Sequence, residues 1–209
     1  MDYSKYIEQY DKIGYGAHGV TLLPNFLDSE TLSKVVSFLD SVDHDGLVSR
    51  DSVTDPEMLN VLSLADTKFY ELLEEHYGKK YDIKIKKNPR VLSHFLKWNL
   101  GYESVMPVHA DCETKDGKPV MTNGYYKYNL TVICYLNDDY VGGEITFPQF
   151  DIKIKPAAGD LIMFPSRYRH GVLQMHSGNR YSLPSWFSFD IDDDSDENSF
   201  PIGNAQELF

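Results

Sequence analysis

The second half of the chain is divided into many short segments, and this division limits the folds that the chain can adopt. From about residue 81 to residue 190, runs rich in β-branched and aromatic residues, such as "YNLTVICYLND" and "RYSLPSWFSFDID", alternate with turn signals such as "PAAGD" and "HSGN". Runs of this composition are typical of β-strands. The pattern therefore predicts a β-sandwich or a β-barrel.

The first half of the chain differs, because its apolar residues follow helical spacing. After the short β-like run "GVTLL", a helix is predicted within residues 18–43, and a second amphipathic helix within residues 56–77, with Pro56 near its first turn. Helices first and strands afterwards predict a mainly β fold with flanking α-helices (α+β), in which the helices pack on one side of the strands.

The length of the chain, 209 residues, suits one domain with a sizeable core and is too short for two comfortable ones. We therefore expect residues 1–209 to form a single domain. Its expected parts are an N-terminal extension (1–17), a strand with supporting helices (18–90), a β-strand core (91–190) and an acidic tail (191–209) that contains most of the run "DIDDDSDE".

The composition argues against several classes of partner. A formal net charge of −12 and a pI of about 4.9 disfavour non-specific binding to nucleic acid, which needs a positive surface. The opening "MDYSKYIEQYDK" contains no apolar signal segment, and no run of about 18 apolar residues indicates a membrane span. Cys112 and Cys134 are expected as reduced thiols. The sequence thus predicts a cytoplasmic protein without nucleic-acid or membrane partners.

The segment "MPVHADCE" (residues 106–113) contains a candidate pair of metal ligands. Alternate residues of a strand project to the same face, so an extended "PVHAD" would point His109 and Asp111 into one cavity and Ala110 away from it. An imidazole nitrogen beside a carboxylate oxygen supplies two ligands of a divalent metal. Because a His-x-Asp pair also occurs as two ordinary polar residues, the interpretation depends on a third ligand.

His170, in "FPSRYRHGV", is the candidate third ligand, on or beside another predicted strand. Two histidines and one carboxylate on one face of a metal leave the opposite positions open, as in non-haem Fe(II) oxygenases. His176, in the turn "MHSGN", is the realistic alternative to His170. The remaining histidines lie at predicted helix or loop boundaries or within an apolar strand.

Four segments then occur along the chain in a definite order, namely "VHAD", "YLNDDYVGGEITFP", "IKPAAGDLIMFPSRYRHGV" and "SGNRYSLPSWF". Together they resemble the prolyl-4-hydroxylase-like branch of the 2-oxoglutarate/Fe(II)-dependent dioxygenases, and "VTLLPNFLDSETLSKVVSFLD" looks like the usual entry strand and helix of that family. The resemblance covers roughly residues 18–190. It implies a double-stranded β-helix core (jelly-roll, cupin-like) with the N-terminal helices packed on one sheet.

The resemblance also implies roles for individual residues. His109, Asp111 and His170 match the ligands of Fe(II). Arg180 matches the residue that pairs with the distal carboxylate of 2-oxoglutarate, to which a guanidinium can donate two parallel hydrogen bonds. Tyr135 matches a tyrosine that reaches the same carboxylate in some relatives. Further candidates for the cosubstrate pocket are Thr131, Ile133, Val172, Ser182 and Trp186, together with Trp98, which stands where relatives often carry a tyrosine, and its neighbour Asn99.

The activity that the resemblance implies is the hydroxylation of a C–H bond by an enzyme that uses Fe(II), 2-oxoglutarate and O₂ and releases succinate and CO₂, with ascorbate as a candidate reductant. The expected substrate is a prolyl residue in a peptide or protein. Two alternatives stay open: the same chemistry on a free amino acid, a small metabolite or a nucleobase, and a metal-binding jelly-roll module without turnover. A monomer and a homodimer are both compatible with the sequence.

Two polar loops, residues 45–55 and 112–128, are the candidates for contacts with the substrate. Within them, Arg50, Tyr126 and Tyr128 are the candidate residues. The two tyrosines could form an aromatic wall of the substrate site, or they could be exposed residues of the loop.

Overall fold

Antiparallel sheets and a few helices make up the part of the chain that the computed structural model describes, which is residues 19–100, 105–122 and 125–190. For residues 121–126, the description is limited to the backbone of the two short strands there. The predicted N-terminal extension (1–17) and acidic tail (191–209) lie outside the described residues. The predicted mainly β architecture with few helices is confirmed.

Two helices form where the sequence predicts them. Helix α1 (Ser29–Ser41) begins after Asp28, whose carboxylate accepts a hydrogen bond from the backbone N–H of Thr31 at 2.8 Å. Helix α2 (Pro56–Leu73) begins at a proline, which needs no N–H partner there, and is capped by the preceding aspartate. It continues through a π-type turn (Glu74–Gly78) into the short helix α3 (Lys79–Tyr81). In the described part of the chain, no helix has the length and apolar character needed to span a membrane.

Six strands form the larger sheet, and all neighbouring strands in it run antiparallel. The longest of them lies near the middle and is buried along its whole length. In spatial order the strands are β1 (Thr21–Leu23), β11 (Leu161–Pro165), β7 (Leu130–Tyr135), β14 (Arg180–Phe187), β3 (Phe95–Trp98) and β2 (Gly46–Val48).

The smaller sheet has four strands, and two further pairs of strands lie outside the main sheets. The order in the smaller sheet is β10 (Ile152–Ile154), β9 (Ile145–Phe147), β12 (His170–Val172) and β4 (Met106–His109), again antiparallel throughout. The separate pairs are β5 (Met121–Thr122) with β6 (Tyr125–Tyr126), and β8 (Val141–Gly142) with β13 (Met175–Ser177).

Strand β7 shows that the larger sheet separates two environments. Leu130, Val132 and Cys134 belong to the main hydrophobic core, together with buried residues of α1 and α2. Tyr135, which by the two-residue period of a strand points to the other face, packs instead with buried residues of β9 in the smaller sheet. The larger sheet therefore lies between the helices and the smaller sheet, which agrees with the predicted packing of the helices on one sheet.

Two buried polar contacts fasten the helices to strand β3 and the residues just before it. Lys97 donates from Nζ to the carbonyl oxygens of Leu39 at 3.0 Å and Val42 at 2.9 Å, at the C-terminal end of α1, where a cation is favourable. Asp66 on α2 accepts hydrogen bonds from the backbone N–H and the hydroxyl of Ser93 at 2.9 and 2.5 Å. These contacts fix β3, one wall of the cavity described below, relative to the helices.

Two leucines on α2 provide a matched test of this packing. Leu62 is fully buried, whereas Leu64 is 52% exposed on the same helix. We expect Leu62→Ala to lower the free energy of unfolding by about 2–5 kcal/mol, because it removes apolar contacts and leaves a cavity, and Leu64→Ala to lower it by less than about 1 kcal/mol. Urea unfolding followed by circular dichroism measures both values. Equal effects of the two substitutions would contradict the position of α2 on the sheet.

Candidate active site

The smaller sheet brings two of the candidate metal ligands side by side. His109, the last residue of β4, lies directly opposite His170, the first residue of β12. Further along the pair, Val172 lies opposite Met106, so three steps on β4 match two steps on β12. Such a β-bulge changes the direction of side chains and is common next to active sites. Here it places both Met106 and His109 on the wall of one cavity.

Asp111 reaches the same place through a turn. An extended strand through Asp111 was one way to bring it beside His109, but strand β4 ends at His109. The backbone N–H of Glu113 donates to the carbonyl oxygen of Ala110 at 3.0 Å, which closes a turn over these residues. Ala110 is buried and Asp111 still faces the histidines. His109 and Asp111 therefore share a site. The Asp111 carboxylate is placed there by a turn and not by the alternation of side chains along a strand.

The three candidate ligands present their coordinating atoms to one point. The Asp111 Oδ1 atom lies 3.3 Å from Nε2 of His109 and 3.7 Å from Nε2 of His170. One ligand atom from each residue falls within 4.8 Å of the others. Two imidazole nitrogens and one carboxylate oxygen in this arrangement form a donor set that suits a non-haem Fe(II) ion.

Hydrogen bonds to the backbone fix the orientation of both imidazole rings. The Nδ1 atom of His109 lies 2.9 Å from the carbonyl oxygen of Pro107, and that of His170 lies 3.0 Å from the carbonyl oxygen of Tyr168. A carbonyl only accepts, so Nδ1 carries the proton in each ring. The Nε2 lone pairs are consequently left free for a metal, as is usual for metal-binding histidines.

The carboxylate of Asp111 divides its two oxygens between different tasks. The Oδ2 atom accepts hydrogen bonds from the Thr131 hydroxyl at 2.6 Å and from the Trp186 indole N–H at 2.9 Å. The Oδ1 atom faces the two histidines. Asp111 is thus arranged to offer a single oxygen to a metal.

The electrostatic environment favours a charged carboxylate between the rings. Burial raises the pKa of Asp111, but the neighbouring His170 and His109 and the Thr131 hydroxyl outweigh burial and hold this pKa well below its usual range. Burial lowers the pKa of His170 despite the charge of Asp111. Burial acts in the same direction on the pKa of His109, but there the hydrogen bond and charge of Asp111 prevail and raise it.

A cavity runs from these ligands to a buried arginine. The Arg180 guanidinium is 3% exposed, donates from Nη2 to the Tyr135 hydroxyl at 3.2 Å, and lies 5.2 Å from the ring centre of Trp98. Among the described residues, no carboxylate forms an ion pair with it, and its Nε atom and the nearby Tyr140 hydroxyl have no hydrogen-bond partner. Burial raises the pKa of Tyr140 to about 12, and the Arg180 charge opposes this rise. A buried cation with an unused donor suits a carboxylate ligand.

The predicted cosubstrate residues fall into two groups in the structure. Trp98, Ile133, Val172, Ser182 and Trp186 line the cavity. Thr131 points to the same side but donates to Asp111.

The sequence reasoning missed several other wall residues and the Tyr140 hydroxyl near Arg180. The missed wall residues are Leu96, Met106, Ile145 and Pro184. Two-residue spacing from Trp98 would have indicated Leu96, and the same spacing from Ser182 would have indicated Pro184. No periodicity marks Tyr140, which follows β7 in a loop.

The other predicted residues lie in varied surroundings. The Arg50 guanidinium forms an ion pair with Asp66 at 2.5 Å, so the fold already uses its charge. Tyr128 is buried, with its ring centre 6.2 Å from that of Trp186. The side chain of Tyr126 lies outside the described residues. His176 is exposed on β13, and it is not part of the cluster that could hold a metal.

The strands that carry the site match a known family model. Residues 93–188 match the family model described as the 2OG-Fe(II) oxygenase superfamily. The predicted resemblance to the prolyl-hydroxylase-like 2-oxoglutarate/Fe(II)-dependent dioxygenases is confirmed by this match and by the relatives that the chain matches.

Two curated relatives illustrate the extent of the similarity. Human prolyl 3-hydroxylase 2 is 37% identical over 69 residues, which are 30% of this chain and 10% of that protein. A PKHD-type hydroxylase of Prochlorococcus marinus (strain NATL1A) is 29% identical over 82 residues, which are 38% of this chain and 37% of that protein. The matches thus span little more than a third of the relatives' length at most.

Solved structures show the same fold at low sequence identity. The viral collagen prolyl hydroxylase of Paramecium bursaria Chlorella virus-1, in complex with 2OG, superposes with a TM-score of 0.59 at 17% identity, over 83% of this chain and 96% of that one. A Trichoplax adhaerens prolyl hydroxylase, bound to a peptide fragment of the hypoxia inducible factor oxygen degradation domain, gives 0.58 at 18% identity, over 91% and 94%.

Metal binding tests the ligand set directly. We expect His109→Ala and His170→Ala each to weaken binding of Co(II), a spectroscopic substitute for Fe(II), at least about 100-fold, because each removes one of three protein ligands. His176→Ala is the matched control and should leave the affinity unchanged. Titration followed by the visible absorption of Co(II) measures all three. Loss of binding in His176→Ala, or its retention in His170→Ala, would contradict the assignment of the third ligand.

Proposed function

We propose that this chain is an Fe(II)- and 2-oxoglutarate-dependent dioxygenase that hydroxylates a prolyl residue in a peptide or protein, with release of succinate and CO₂. The observation that carries the proposal is the cavity itself. At one end, two imidazole nitrogens and one carboxylate oxygen converge. At the other end lies the buried guanidinium of Arg180, whose Nε donor is unused and which has no carboxylate partner among the described residues.

The residues present fit both groups that this chemistry requires. His109, Asp111 and His170 would hold Fe(II), since they supply the donor set that this ion takes in such oxygenases. Arg180 and Tyr135, with Tyr140 nearby, would bind the distal carboxylate of 2-oxoglutarate through charge-assisted hydrogen bonds. Bound iron and cosubstrate together supply the oxidising power that attacks a C–H bond, and O₂ is the oxidant.

The protein's own contribution is orientation and exclusion of water. The backbone carbonyls behind His109 and His170 hold both rings in position, and Thr131 and Trp186 do the same for Asp111. Apolar walls between the two ends of the cavity keep bulk water from the cosubstrate, which strengthens the attraction between the guanidinium and a carboxylate. These walls are Leu96, Trp98, Ile133, Ile145 and Val172.

The overall architecture supports the proposal. We propose that the two main sheets form the double-stranded β-helix implied by the sequence resemblance, with residues 91–190 as the catalytic core of a single domain and residues 18–90 as its support. The packing of β7 and β11 against β9 across the space between the sheets is consistent with this arrangement.

The names of the relatives support a prolyl substrate. Prolyl 3-hydroxylase 2 and the prolyl hydroxylases of known structure point to proline, and the Trichoplax adhaerens enzyme was solved with a peptide. The alternative substrate is a free amino acid or another small metabolite. The turnover assay described next distinguishes it from a peptide. A module without turnover would not need both the convergent ligands and the unpaired guanidinium.

Turnover is tested with purified protein, Fe(II), ascorbate and 2-oxoglutarate under air. We expect succinate formation and, without oxygen, a visible charge-transfer absorption of the Fe(II)–2-oxoglutarate complex. Proline-containing peptides from a library and free amino acids are then added separately. We expect the peptides to raise succinate formation more than the free amino acids do, and the reacting peptides to become heavier by one oxygen atom. Absence of both succinate and the absorption band would contradict the oxygenase assignment. Stimulation by free amino acids alone would replace the peptide substrate with a small one.

Substitution of Arg180 tests the cosubstrate anchor. We expect Arg180→Met to raise the KM for 2-oxoglutarate about 100-fold, because it removes two charge-assisted hydrogen bonds to a carboxylate. Arg180→Lys keeps the charge but loses the planar fork, so its KM should lie between those of the wild type and Arg180→Met. Affinity for Co(II) in the absence of cosubstrate is the internal control and should stay unchanged in both variants. An unchanged KM in Arg180→Met would contradict the role of this end of the cavity.

A further inference from the structure

His94 is a buried histidine that the proposed chemistry does not use. It lies just before β3 and is 4% exposed. Burial lowers the pKa of His94 to about 4, so its ring is neutral near pH 7. Its Nδ1 atom lies 3.4 Å from the carbonyl oxygen of Leu92, a long contact, and its Nε2 atom has no hydrogen-bond partner among the described residues. The ring nitrogens therefore contribute little to holding the fold together.

The direction of β3 and a ring contact place His94 near the metal end of the cavity. In the pairing of β3 with β14, Trp98 lies opposite Arg180 and Leu96 lies opposite Ser182. Trp98 and Leu96 line the cavity, and His94 lies one residue before the start of β3, where it stacks on the cavity residue Trp186. Moving from Trp98 toward His94 thus leads away from the guanidinium and toward Trp186 and the metal ligands.

The main contact of His94 in this region is made by the face of its ring. The imidazole stacks on the indole of Trp186, with ring centres 5.8 Å apart and planes inclined by 24°. The same indole donates its N–H to Oδ2 of Asp111 at 2.9 Å. Tyr128 also packs against the indole. One continuous chain of contacts therefore runs from His94 through Trp186 to a candidate metal ligand.

We propose that His94 is a positioning residue for the metal site: its stacked ring holds the Trp186 indole in the orientation in which the indole N–H binds Oδ2 of Asp111. This inference rests on the metal site of the proposed function. With Oδ2 bound to Trp186 and Thr131, only Oδ1 is free for the metal. A carboxylate released from these donors could turn so that Oδ1 no longer faces the two histidines, and the affinity for a metal would then fall.

The backbone around His94 is fixed firmly enough for this role. Its neighbour Ser93 donates to Asp66 from both its N–H and its hydroxyl. Arg50 pairs with Asp66 and also donates from Nε to the carbonyl oxygen of Ser93 at 3.4 Å. Because its backbone is fixed, the His94 ring loses little additional conformational entropy when it stacks on the Trp186 indole. It can therefore limit the motion of that indole.

A double-mutant cycle on Co(II) affinity tests the inference without requiring turnover. We expect Trp186→Phe to weaken Co(II) binding about tenfold, the lower end of the range for loss of a hydrogen bond to a metal ligand. His94→Leu should weaken it by roughly threefold to tenfold, because the flat ring is lost. The combined His94→Leu/Trp186→Phe protein should bind no more weakly than Trp186→Phe alone, since both substitutions interrupt one chain of contacts.

Two further variants separate the effect of the ring face from that of the ring nitrogens and from general effects of substitution. His94→Phe keeps a flat ring and removes the nitrogens, so its Co(II) affinity should lie within about twofold of the wild type. His176→Leu, on the exposed strand β13, is the matched control and should have no effect. Urea unfolding verifies that each variant is folded. If His94→Leu does not fold, His94→Met replaces it, because methionine fills a similar volume without a flat ring.

Three results would overturn the inference. They are an unchanged affinity in His94→Leu, equal losses in His94→Leu and His94→Phe, and additive losses in the double variant. The first would remove His94 from the site, the second would assign the effect to its nitrogens, and the third would show that it does not act through Trp186. If the cycle shows coupling but no succinate forms in the turnover assay, the proposed function fails while the coupling still supports this inference.

Discussion

The pairing of β7 with β14 at the centre of the larger sheet is the constraint on which the rest of the structure depends. The six matched positions fix which side of each strand meets the helices and which side meets the cavity. Leu130, Val132 and Cys134 go to the core, so Thr131 and Tyr135 must go to the site. A shift of the register by one residue would exchange the two sets completely. The hydrophobic core therefore specifies the polar site, because the strands cannot place one set of residues without the other.

The sequence predicted most of what strand alternation controls. The helices, the mainly β architecture and the cavity-facing positions on β7 and β14 follow from local periodicity, which a single chain displays. Asp111 shows the limit: it reaches His109 through a turn closed by Glu113 and Ala110, not through the extended strand considered from its spacing. Tyr140 shows another limit, because its place beside Arg180 depends on the path of a loop. Long-range contacts of this kind leave no periodic trace in the residues that make them.

The polar atoms of the site differ in how they are satisfied, and the difference has a physical meaning. Around the candidate metal ligands, both Nδ1 atoms and Oδ2 of Asp111 have partners from the protein at 2.6–3.0 Å. At the far end of the cavity, Nε of Arg180 and the Tyr140 hydroxyl have none among the described residues. The protein thus supplies all the hydrogen bonds that orient the candidate metal ligands. At the far end of the cavity it leaves hydrogen-bonding groups that a bound carboxylate would satisfy. A buried cation of this kind costs stability until its partner arrives, so cosubstrate binding should stabilise the fold.

The place of β4 in the smaller sheet has a consequence for how the site is assembled. β4 is an edge strand of four residues, hydrogen-bonded to β12 alone within the described sheet, and it carries His109 at its end. Edge strands with few neighbours open at lower free energy than central ones, and amide hydrogen exchange reports such opening. A metal bound by His109, Asp111 and His170 would hold the end of this strand in place and oppose its opening. Its arrival should slow exchange in β4 far more than in β7, whose amides are already protected on both sides.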